Sequence, residues 1–380
     1  MNRPLRVLHV AETAKGGVGS YVDDVVSEQL ARHGADSVRV ILPRAHADQL
    51  RRVPAQVQRP YAAGRLRSLG VLALAWATLK AVWQWRPHVV HLHSTVAGLV
   101  LRPLLWALPG RPRIVYCAHG WAFHREGGAT GNRRLERLER GLSACCDVVV
   151  CISEHDRRAG LEIGIAPAKL ELVYNGIADT PAPTAEALRA AQALWPAAPL
   201  RVLFVGRLDR QKGVDILFEA IAPLAGLLHA LVVGQPVVGD APPASVPANA
   251  RVLGWVDREN LPPLYAAADL VVVPSRWEGL GLVALEAMRA GTPVLATAVG
   301  GLLEVVQDGT TGRLVPGGGA DAWASVLARI GSDDLHAMGA AGRRLFVERF
   351  RIDATVDRLE AIYRRASEAR TRPRSRLSEG

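Results

Sequence analysis

The chain has 380 residues, of which 49% are hydrophobic and 22% are charged, and its formal net charge is +10. This is the composition of a globular protein, and the length allows two domains with full cores. The four cysteines, Cys117, Cys145, Cys146 and Cys151, lack the paired spacing of a zinc site and do not suggest a disulfide framework. We therefore expect buried thiols in a reducing compartment.

Basic residues are concentrated in the first half of the chain. Residues 1–180 hold 24 Lys or Arg and 15 Asp or Glu, whereas residues 181–380 hold 22 and 21. Between Ser37 and His124 the only acid is Asp48, against twelve Lys or Arg. This predicts a basic face suited to nucleic acid, anionic lipid or a phosphorylated substrate. A genome that favours Arg over Lys would explain the choice of Arg but not the missing acids.

No stretch has the layout of a signal peptide, and residues 1–10 read as a first strand. The most apolar stretches, Leu69–Leu79 and Val96–Leu108, are too short or are interrupted by Lys80 and Arg102. A membrane-spanning helix needs roughly 20 apolar residues. We expect a cytoplasmic protein.

The first half alternates buried-type strands with helices, which is typical of a parallel α/β sheet. The glycine-rich loop Lys15–Gly19 joins a strand to a helix, and such loops bring the backbone close to a phosphate. The next strand ends in Pro43 and Arg44 instead of the acid that binds a ribose, which argues against NAD. The predicted strands are Leu5–Val10, Ser37–Leu42, Val89–His93, Arg113–Ala118, Asp147–Ile152 and Leu170–Val173, and the predicted helices are Tyr21–His33, Leu66–Trp85, Ala97–Leu108 and Arg133–Leu142.

Histidines occur in or directly after three of these strands. His119 follows a strand at its carboxyl end, which makes it a candidate polar contact with a ligand. His91 and His93 share a strand, and we expect them in the core or directly behind the site. His9 alternates onto the sheet and is interpreted as structural.

A segment rich in Ala and Pro, residues 179–199, is predicted to link the domain 1–178 to a second domain, 200–350. Strand–helix alternation restarts at Leu200–Gly206, which predicts two doubly wound domains. Arg207 and Lys212 follow that strand and could converge on a diphosphate, although they could also be solvated loop cations. The other predicted strands are Ala230–Gly234, Arg251–Gly254, Leu270–Val273 and Gly312–Pro316, the predicted helices begin at Gly300 or cover Asp321–Ile330, Asp334–Phe350 and Asp353–Ser367, and residues 371–380 are predicted to be a disordered basic tail.

The chain is organised around the stretch Asp269–Ala290. Glu278 follows a strand at its carboxyl end, where open α/β sheets bind ligands, and Glu286 lies in the next helix. Gly279 and Gly281 leave backbone N–H groups free to meet a phosphate at the helix start. Two carboxylates beside a phosphate site predict recognition of sugar hydroxyls, although either Glu alone could be a solvated surface residue.

The run EGLGLVALE, from Glu278 to Glu286, resembles the E-x7-E motif of the retaining glycosyltransferases of family 4, which have the GT-B fold. The run GRLDRQKG, residues 206–213, resembles the second signature of that family. Asn175–Gly176 and Gly254–Val256 also fit it. The resemblance covers about the whole chain, and the glycine loop, His119, the two cations and the two glutamates occur in the family's order.

The resemblance implies two Rossmann-like domains that face each other across a cleft, with the C-terminal helix (353–368) crossing back to the first domain. It also implies transfer of a hexose or N-acetylhexosamine from a nucleoside diphosphate sugar (UDP or GDP) to an acceptor hydroxyl, with retention and front-face attack. By resemblance, Gly16 and Gly17 lie near the diphosphate, Arg207, Lys212 and the amides of Gly279, Leu280, Gly281 and Leu282 stabilise the leaving group, Glu278 holds sugar hydroxyls, Glu286 holds the ribose, and His119 contacts the sugar or its phosphate.

The sequence contains no D-x-D motif, which many transferases of the other major fold use to hold a divalent cation, so we expect neither a metal nor another cofactor. The predicted acceptor is a lipid-linked saccharide of exopolysaccharide, O-antigen or capsule synthesis, and no nucleic acid partner is expected. Leu69, Leu72, Trp76, Leu79 and Trp83 recur at helical spacing, which suggests a peripheral contact with an anionic membrane, although this helix could also pack on its own sheet. A sugar-nucleotide epimerase, a phosphorylase and a non-catalytic sugar-nucleotide or polysaccharide-binding protein remain as alternatives.

Overall fold

The structure is a computed structural model that describes residues 5–63, 67–124, 129–236, 245–332 and 334–368. The predicted basic tail, residues 371–380, lies outside these ranges. The chain divides into two compact units. Unit 1 runs to Gly176 and resumes at Ile352, and unit 2 comprises Ile177–Arg351.

Strands and helices alternate along the chain. The strands are β1 (Val7–Ala11), β2 (Val38–Pro43), β3 (Gln58–Tyr61), β4 (Val89–His93), β5 (Arg113–Cys117), β6 (Val148–Cys151), β7 (Leu170–Leu172), β8 (Arg201–Val205), β9 (His229–Val233), β10 (Ala250–Gly254), β11 (Leu270–Val273), β12 (Val294–Thr297) and β13 (Gly312–Val315). The α-helices are α1 (Gly16–His33), α2 (Arg67–Trp85), α3 (Thr95–Trp106), α4 (Ala129–Leu142), α5 (Glu154–Glu162), α6 (Ala185–Gln192), α7 (Val214–Ile221), α8 (Pro262–Ala267), α9 (Leu282–Ala290), α10 (Leu302–Val305), α11 (Ala320–Leu327), α12 (Leu335–Arg349) and α13 (Ile352–Glu368). Short 3-10 helices cover Arg44–Gln49, Ala122–His124, Ser143–Cys145, Pro167–Lys169, Ala222–Leu224, Arg258–Asn260 and Ile330–Ser332.

Each unit is built on one parallel sheet. Within the described ranges, unit 1 has seven strands in the order β3-β2-β1-β4-β5-β6-β7, and unit 2 has six in the order β10-β9-β8-β11-β12-β13. The strand order reverses direction at one point in each sheet, between β1 and β4 in unit 1 and between β8 and β11 in unit 2. This is the doubly wound arrangement, and it confirms the predicted fold class of two Rossmann-like domains.

The strands of unit 1 are buried on both faces, as in other parallel sheets covered by helices. Leu8 and Val10 of β1 and Leu92 of β4 are fully buried in the hydrophobic core on one face. Because side chains alternate along a strand, His9, His91 and His93 lie on the other face, where they are also fully buried. That face therefore carries a polar interior, which needs hydrogen-bonding partners from the helices that cover it.

The C-terminal helix α13 belongs to unit 1 and packs on α1. Arg32 Nη1 is 2.5 Å from Asp357 Oδ1, and His33 Nε2 is 2.7 Å from Glu360 Oε1. Thr355 donates to the carbonyl oxygen of Tyr174. The expectation that the last helix returns to the first domain is confirmed.

Helix α2 has one buried and one exposed face. Leu74, Thr78, Ala81 and Trp85 are buried. The exposed face carries Leu69, Leu72, Trp76 and Trp83, of which Trp76 is 70% and Trp83 is 77% exposed. No helix in the described part of the chain is both long enough and apolar enough to cross a membrane.

Three further expectations differ from the structure. The segment 179–199, predicted as a linker, contains helix α6, which packs on α8 inside unit 2. Strands β3 and β12 were not predicted; the β3 sequence QRPY carries polar residues and a proline, which suits only the edge of a sheet. Of the four cysteines, Cys145 is only half-buried.

The predicted basic face is also weaker than the sequence suggests. Four of the twelve cations between residues 37 and 124 are paired with acids from outside that range. Arg52 contacts Asp23, Arg102 contacts Glu139 in the interior, and both Arg111 and Arg113 contact Asp147.

Candidate active site

The point where the strand order of unit 2 reverses lies between β8 and β11, and two loops meet there. The loop after β8 contains Arg207 and Lys212, and the loop after β11 contains Glu278. The backbone N–H of Arg276 donates to the carbonyl of Gln211, and the Gln211 side chain donates to the carbonyl of Trp277. Ligands of doubly wound sheets bind at this kind of crevice.

Lys212 and Glu278 form the centre of this crevice. The Lys212 ammonium contacts Glu278 Oε1, and the Ser275 hydroxyl donates to the same oxygen at 3.0 Å. The side chains of Lys212 and Glu278 are 21% and 9% exposed, so the pair is largely shielded from water but a ligand can still reach it. A cation and a carboxylate held side by side can meet a phosphate and a hydroxyl of one ligand.

Glycines allow the two loops to approach this closely. Gly213 has φ +68°, and a side chain there would overlap the carbonyl oxygen of Pro274. Gly281 has φ +92°, and its Cβ would lie 2.6 Å from Leu302 Cδ2. Both positions therefore require glycine for conformation and for space.

Helix α9 presents its N-terminus at the same place. It begins at Leu282 after Gly281, which offers no capping side chain. Within the described residues, no protein acceptor bonds the N–H groups of Gly279, Leu280, Gly281 or Leu282. A row of free amides at a helix start attracts an anion, and binding of a phosphate here stays a prediction.

Arg207 lies at the rim of this crevice and is held in the loop that carries it. Its guanidinium is 2.9 Å from Asp209 and donates to Gln211 Oε1 at 2.6 Å. The Arg207 side chain is about half exposed, whereas the stem of Lys212 packs over Gly206. The structure thus places Lys212 beside Glu278 and Arg207 nearer to solvent.

The side chain of Glu286 is about as enclosed as that of Glu278, since the two are 10% and 9% exposed. It is buried in α9, and the Tyr265 hydroxyl is 2.7 Å from Glu286 Oε2. Arg258 Nε is 3.9 Å from Glu286 Oε1. Tyr265 is itself buried, and burial together with the nearby Glu286 carboxylate holds the pKa of its hydroxyl well above the ordinary value. Tyr265 is a partner that the sequence analysis missed.

In unit 1 the strand order reverses between β1 and β4, and the polar residues of interest follow β1, β4 and β5. Helix α1 begins at Gly16 and Gly17 directly after the loop from β1. Ser94 follows β4 with φ +77°, and His119 follows β5 with φ +57°. Positive φ is uncommon outside glycine and is often maintained at functional sites. Ser94 was missed, and the strained backbone that marks it is not visible in a sequence.

His119 is connected to the buried histidines behind it. His93 Nδ1 is 2.9 Å from His119 Nε2, and His9 Nδ1 is 2.9 Å from His93 Nε2. Burial lowers the pKa of His9 and of His119 to about 4, and it lowers the pKa of His91 and His93 well below the ordinary value. All four rings are therefore neutral at pH 7.

One ring nitrogen from each of His9, His91 and His93 lies within 4.8 Å of the other two. This is the one group of three in the described ranges whose side chains could geometrically hold a metal ion. The three belong to β1 and β4 of unit 1, so they form no part of the crevice in unit 2.

Comparison with known proteins identifies the family. Residues 15–180 match the family described as Glycosyltransferase Family 4, and residues 199–333 match Glycosyl transferases group 1. The chain is 34% identical over 409 residues to D-inositol 3-phosphate glycosyltransferase of Mycobacterium avium, and the match covers 96% of this chain and 95% of that protein. The chain belongs to glycosyltransferase family 4. It is thus a glycosyltransferase.

Other family 4 relatives and solved structures agree. A Klebsiella pneumoniae protein named "Uncharacterized 41.2 kDa protein in cps region" is 30% identical over 316 residues, with 82% of this chain and 86% of that protein covered. Anabaena Alr3699/HepE, solved with UDP and glucose, has a TM-score of 0.80 at 20% identity over 95% of this chain and all of that one. Sucrose-phosphate synthase of Thermosynechococcus elongatus has a TM-score of 0.80 at 24% identity, over 96% and 100% of the two chains. At these identities the structural likeness shows the fold, which is GT-B.

The family 4 site residues predicted from the sequence fall into two groups. Within unit 2, Lys212, Glu278 and the amides from Gly279 onward come together, Arg207 lies at the rim, and Glu286 lies in α9 against Tyr265. Within unit 1, Gly16 and Gly17 begin α1, and His119 follows β5. His93, which was expected in the core or directly behind the site, is buried and contacts His119.

Proposed function

We propose that this glycosyltransferase moves a hexose or an N-acetylhexosamine from a nucleoside diphosphate sugar to an acceptor hydroxyl, with retention of the anomeric configuration. The observation that carries this proposal is the pair Lys212–Glu278 beside the free amides of α9. A cation and helix amides suit a diphosphate, and a carboxylate next to them suits the hydroxyls of the attached sugar.

The donor in this proposal is a UDP- or GDP-sugar. Relatives support a nucleotide sugar, because Anabaena Alr3699/HepE has been solved with UDP and with UDP-glucose. Gly16 and Gly17 lie near the diphosphate in this assignment. Glu286 binds the ribose through Oε1, because Oε2 already accepts from Tyr265.

In the proposed reaction, the bond between the anomeric carbon and the β-phosphate oxygen breaks while the acceptor oxygen bonds to that carbon on the same face. The acceptor proton passes to the departing phosphate. Arg207, Lys212 and the α9 amides stabilise the charge that develops on the leaving group. Glu278 is engaged by Lys212 and Ser275, so we assign it to orient the sugar, together with His119, and not to attack it.

The reaction as proposed needs no metal, since fixed cations and amides neutralise the diphosphate. Transfer should then be unchanged by a chelator such as EDTA. A chelator-sensitive rate that Mg²⁺ or Mn²⁺ restores would contradict this part of the proposal.

A thermal-shift panel of UDP, GDP, ADP and their sugars tests the donor. A ligand at about 100 times its Kd should stabilise the protein by roughly 2.7 kcal/mol. The stabilising sugar nucleotide is then incubated with the protein and the release of nucleoside diphosphate is followed. Tight binding without hydrolysis or transfer to any saccharide acceptor would indicate a non-catalytic sugar-nucleotide protein, and no response to any nucleotide would contradict the proposal.

We further propose that the acceptor is a lipid-linked saccharide of surface polysaccharide synthesis and that α2 of unit 1 rests on an anionic membrane. The exposed face of α2 combines Leu72, Trp76 and Trp83 with Lys80, which lies between the two tryptophans. Aromatic and basic side chains together suit the membrane interface, and each cation near an anionic surface contributes about 1 kcal/mol. The protein would then be peripheral on the inner face of the cytoplasmic membrane.

A further inference from the structure

Gln29 and three histidines of unit 1 form one hydrogen-bonded row that ends at the site. The row runs from Gln29 Oε1 to His9 Nε2 at 2.9 Å, from His9 Nδ1 to His93 Nε2 at 2.9 Å, and from His93 Nδ1 to His119 Nε2 at 2.9 Å. Gln29, His9 and His93 are buried, whereas His119 is partly exposed. The two inner rings, His9 and His93, each use both of their nitrogens in the row, so the hydrogen positions along the row depend on one another.

The direction of the row follows from its buried end. The amide oxygen of Gln29 can only accept, so His9 Nε2 must carry a hydrogen. A neutral imidazole has one N–H, so His9 Nδ1 must accept, and His93 Nε2 must donate to it. By the same reasoning His93 Nδ1 accepts from His119 Nε2, which leaves a lone pair on His119 Nδ1. Burial keeps these rings neutral at pH 7, because it lowers the pKa of each of them.

Helix α13 fixes the orientation of the Gln29 amide. Burial raises the pKa of the Tyr363 hydroxyl, and the Gln29 side chain opposes this effect, as a hydrogen-bond donor does; since the Gln29 oxygen faces His9, its NH2 group is the part that can donate to Tyr363. The Tyr363 hydroxyl is 2.7 Å from His91 Nδ1, to which it can then donate. The amide therefore has one partner for its oxygen and one for its nitrogen, and turning it over would reverse every bond in the row.

We propose that Gln29, His9 and His93 are positioning residues that hold His119 in the tautomer with its hydrogen on Nε2, so that Nδ1 accepts a hydrogen bond from a substrate hydroxyl. This inference rests on the proposed function and narrows it. A phosphate oxygen can only accept, so a lone pair on Nδ1 selects the sugar over its phosphate as the partner of His119. In the described part of the chain, no protein group bonds His119 Nδ1.

A metal ion held by His9, His91 and His93 would give the opposite result. If that ion bound His93 through Nε2, which now faces His9 Nδ1, the hydrogen of His93 would move to Nδ1. His93 would then donate to His119 Nε2, and His119 Nδ1 would carry the hydrogen. The metal content of the protein and the tautomer of His119 therefore both test whether His93 accepts a hydrogen bond from His119, as proposed, or donates one to it.

The direct test is 15N NMR of the full-length protein labelled at histidine, because the two neutral tautomers have distinct nitrogen shifts. We expect the His119 signal to show a protonated Nε2 and an unprotonated Nδ1, in protein that elemental analysis shows to be free of stoichiometric metal. A protonated Nδ1, an even mixture, or a bound metal would overturn the proposal. This measurement needs no turnover, so its outcome is independent of whether the proposed donor is correct.

Paired substitutions give the kinetic test. Gln29→Leu removes the terminal acceptor. His93→Leu breaks the row, whereas His93→Gln keeps one donor and one acceptor. The two Leu variants should mix the tautomers of His119 and lower kcat about tenfold, the equivalent of one hydrogen bond, with a smaller change in KM for the donor. His93→Gln should restore most of the kcat that His93→Leu loses.

His88→Leu is the matched control, since His88 directly precedes β4, is exposed, and its side chain bonds only the backbone N–H of Arg6 in the described structure. Unchanged tautomer and unchanged kcat in folded Gln29→Leu would overturn the proposal even if His93→Leu failed to fold.

Discussion

Lys212 is the cation of the crevice that the fold holds in place, because its stem packs over Gly206 and its ammonium contacts Glu278. We expect Lys212→Ala to weaken binding of a nucleoside diphosphate at least about tenfold, since a charged hydrogen bond contributes on the order of 1.5–3 kcal/mol. Loss of Lys212 also leaves the Glu278 charge facing the diphosphate. Isothermal titration calorimetry measures the change.

Arg207→Ala should have a smaller effect than Lys212→Ala, because Arg207 lies at the rim and is about half exposed. Arg189→Ala, on the exposed face of α6 in the same unit, is the control and should not change nucleotide affinity. If neither Lys212→Ala nor Arg207→Ala alters nucleotide affinity, the assignment of the diphosphate site is wrong.

The two glutamates should separate nucleotide binding from transfer. Glu286→Ala should weaken both free nucleotide and donor, because we assign Glu286 to the ribose, which both ligands contain. Glu278→Gln should leave free nucleotide bound at least as tightly but impair transfer, because the group it holds is present only in the donor. Calorimetry with the nucleoside diphosphate and turnover with the donor measure the two effects.

Tyr265→Phe sharpens this comparison. It removes the hydroxyl that holds Glu286 Oε2 while leaving the carboxylate in place, so it should weaken nucleotide binding less than Glu286→Ala. A Glu286 variant that lowers only turnover, with a Glu278 variant that lowers only nucleotide affinity, would show that the two roles are reversed.

Helix α2 offers two faces that can be altered independently. Trp76→Ser combined with Trp83→Ser should reduce binding to anionic liposomes with little loss of stability, because both rings are more than two-thirds exposed. Leu74→Ala, on the fully buried face, should instead lower the free energy of unfolding by about 2–5 kcal/mol and leave the membrane-facing surface unchanged. Co-sedimentation at rising anionic lipid content and two salt concentrations measures binding.

Binding to liposomes that ignores lipid charge and salt, or no binding at all, would count against the membrane proposal. If the tryptophan substitutions change the oligomeric state by size-exclusion chromatography and leave liposome binding unaffected, the face of α2 contacts a second copy of the chain instead.

At the level of elements, local sequence determined much of the fold because buried parallel strands are continuous apolar runs that few other structures accommodate. Leu270–Val273 is found as predicted. Strand β3 and helix α6 were missed because their sequences are polar or rich in Ala and Pro, and only contacts with the rest of the unit define them. Lys212 and Glu278 could each be assigned to a ligand site from the sequence, because both follow a strand at its carboxyl end, where doubly wound sheets bind ligands.

Partners supplied by a helix face could not be predicted in the same way. Tyr265 meets Glu286, and Gln29 meets His9, only because of how α8 and α1 are rotated against their neighbours. Arg102 shows the same limit. Its charge interrupts an apolar stretch, yet it is fully buried, because Glu139 and the carbonyl of Gly98 accept from it and the Tyr116 ring lies against its guanidinium.

At the scale of the whole molecule, the two units should differ in their response to acid. Unit 1 contains the buried histidines, and burial lowers the pKa of His9 and His119 to about 4 from an ordinary value of 6.5. Below pH 6.5 the unfolded chain takes up protons that folded unit 1 does not accept until about pH 4. This contribution to stability is therefore complete above pH 6.5 and is lost as the pH falls from 6.5 towards 4. Each such histidine adds a slope of up to about 1.4 kcal/mol per pH unit.

The cysteines allow this to be measured for unit 1 alone, because all four lie in it. Cys117, Cys146 and Cys151 are buried, and burial raises the pKa of each thiol, so they should react only on unfolding. Unfolding is followed in urea titrations from pH 7.5 to 5 with a dithiodipyridine reagent, which reacts with thiols even in acid. The urea concentration at the midpoint of thiol labelling should fall as the pH falls. His9→Gln removes one titrating ring, so its stability should fall less steeply with acid even if the variant is less stable throughout. Equal slopes for the two proteins would mean that the buried histidines do not govern the acid sensitivity of unit 1.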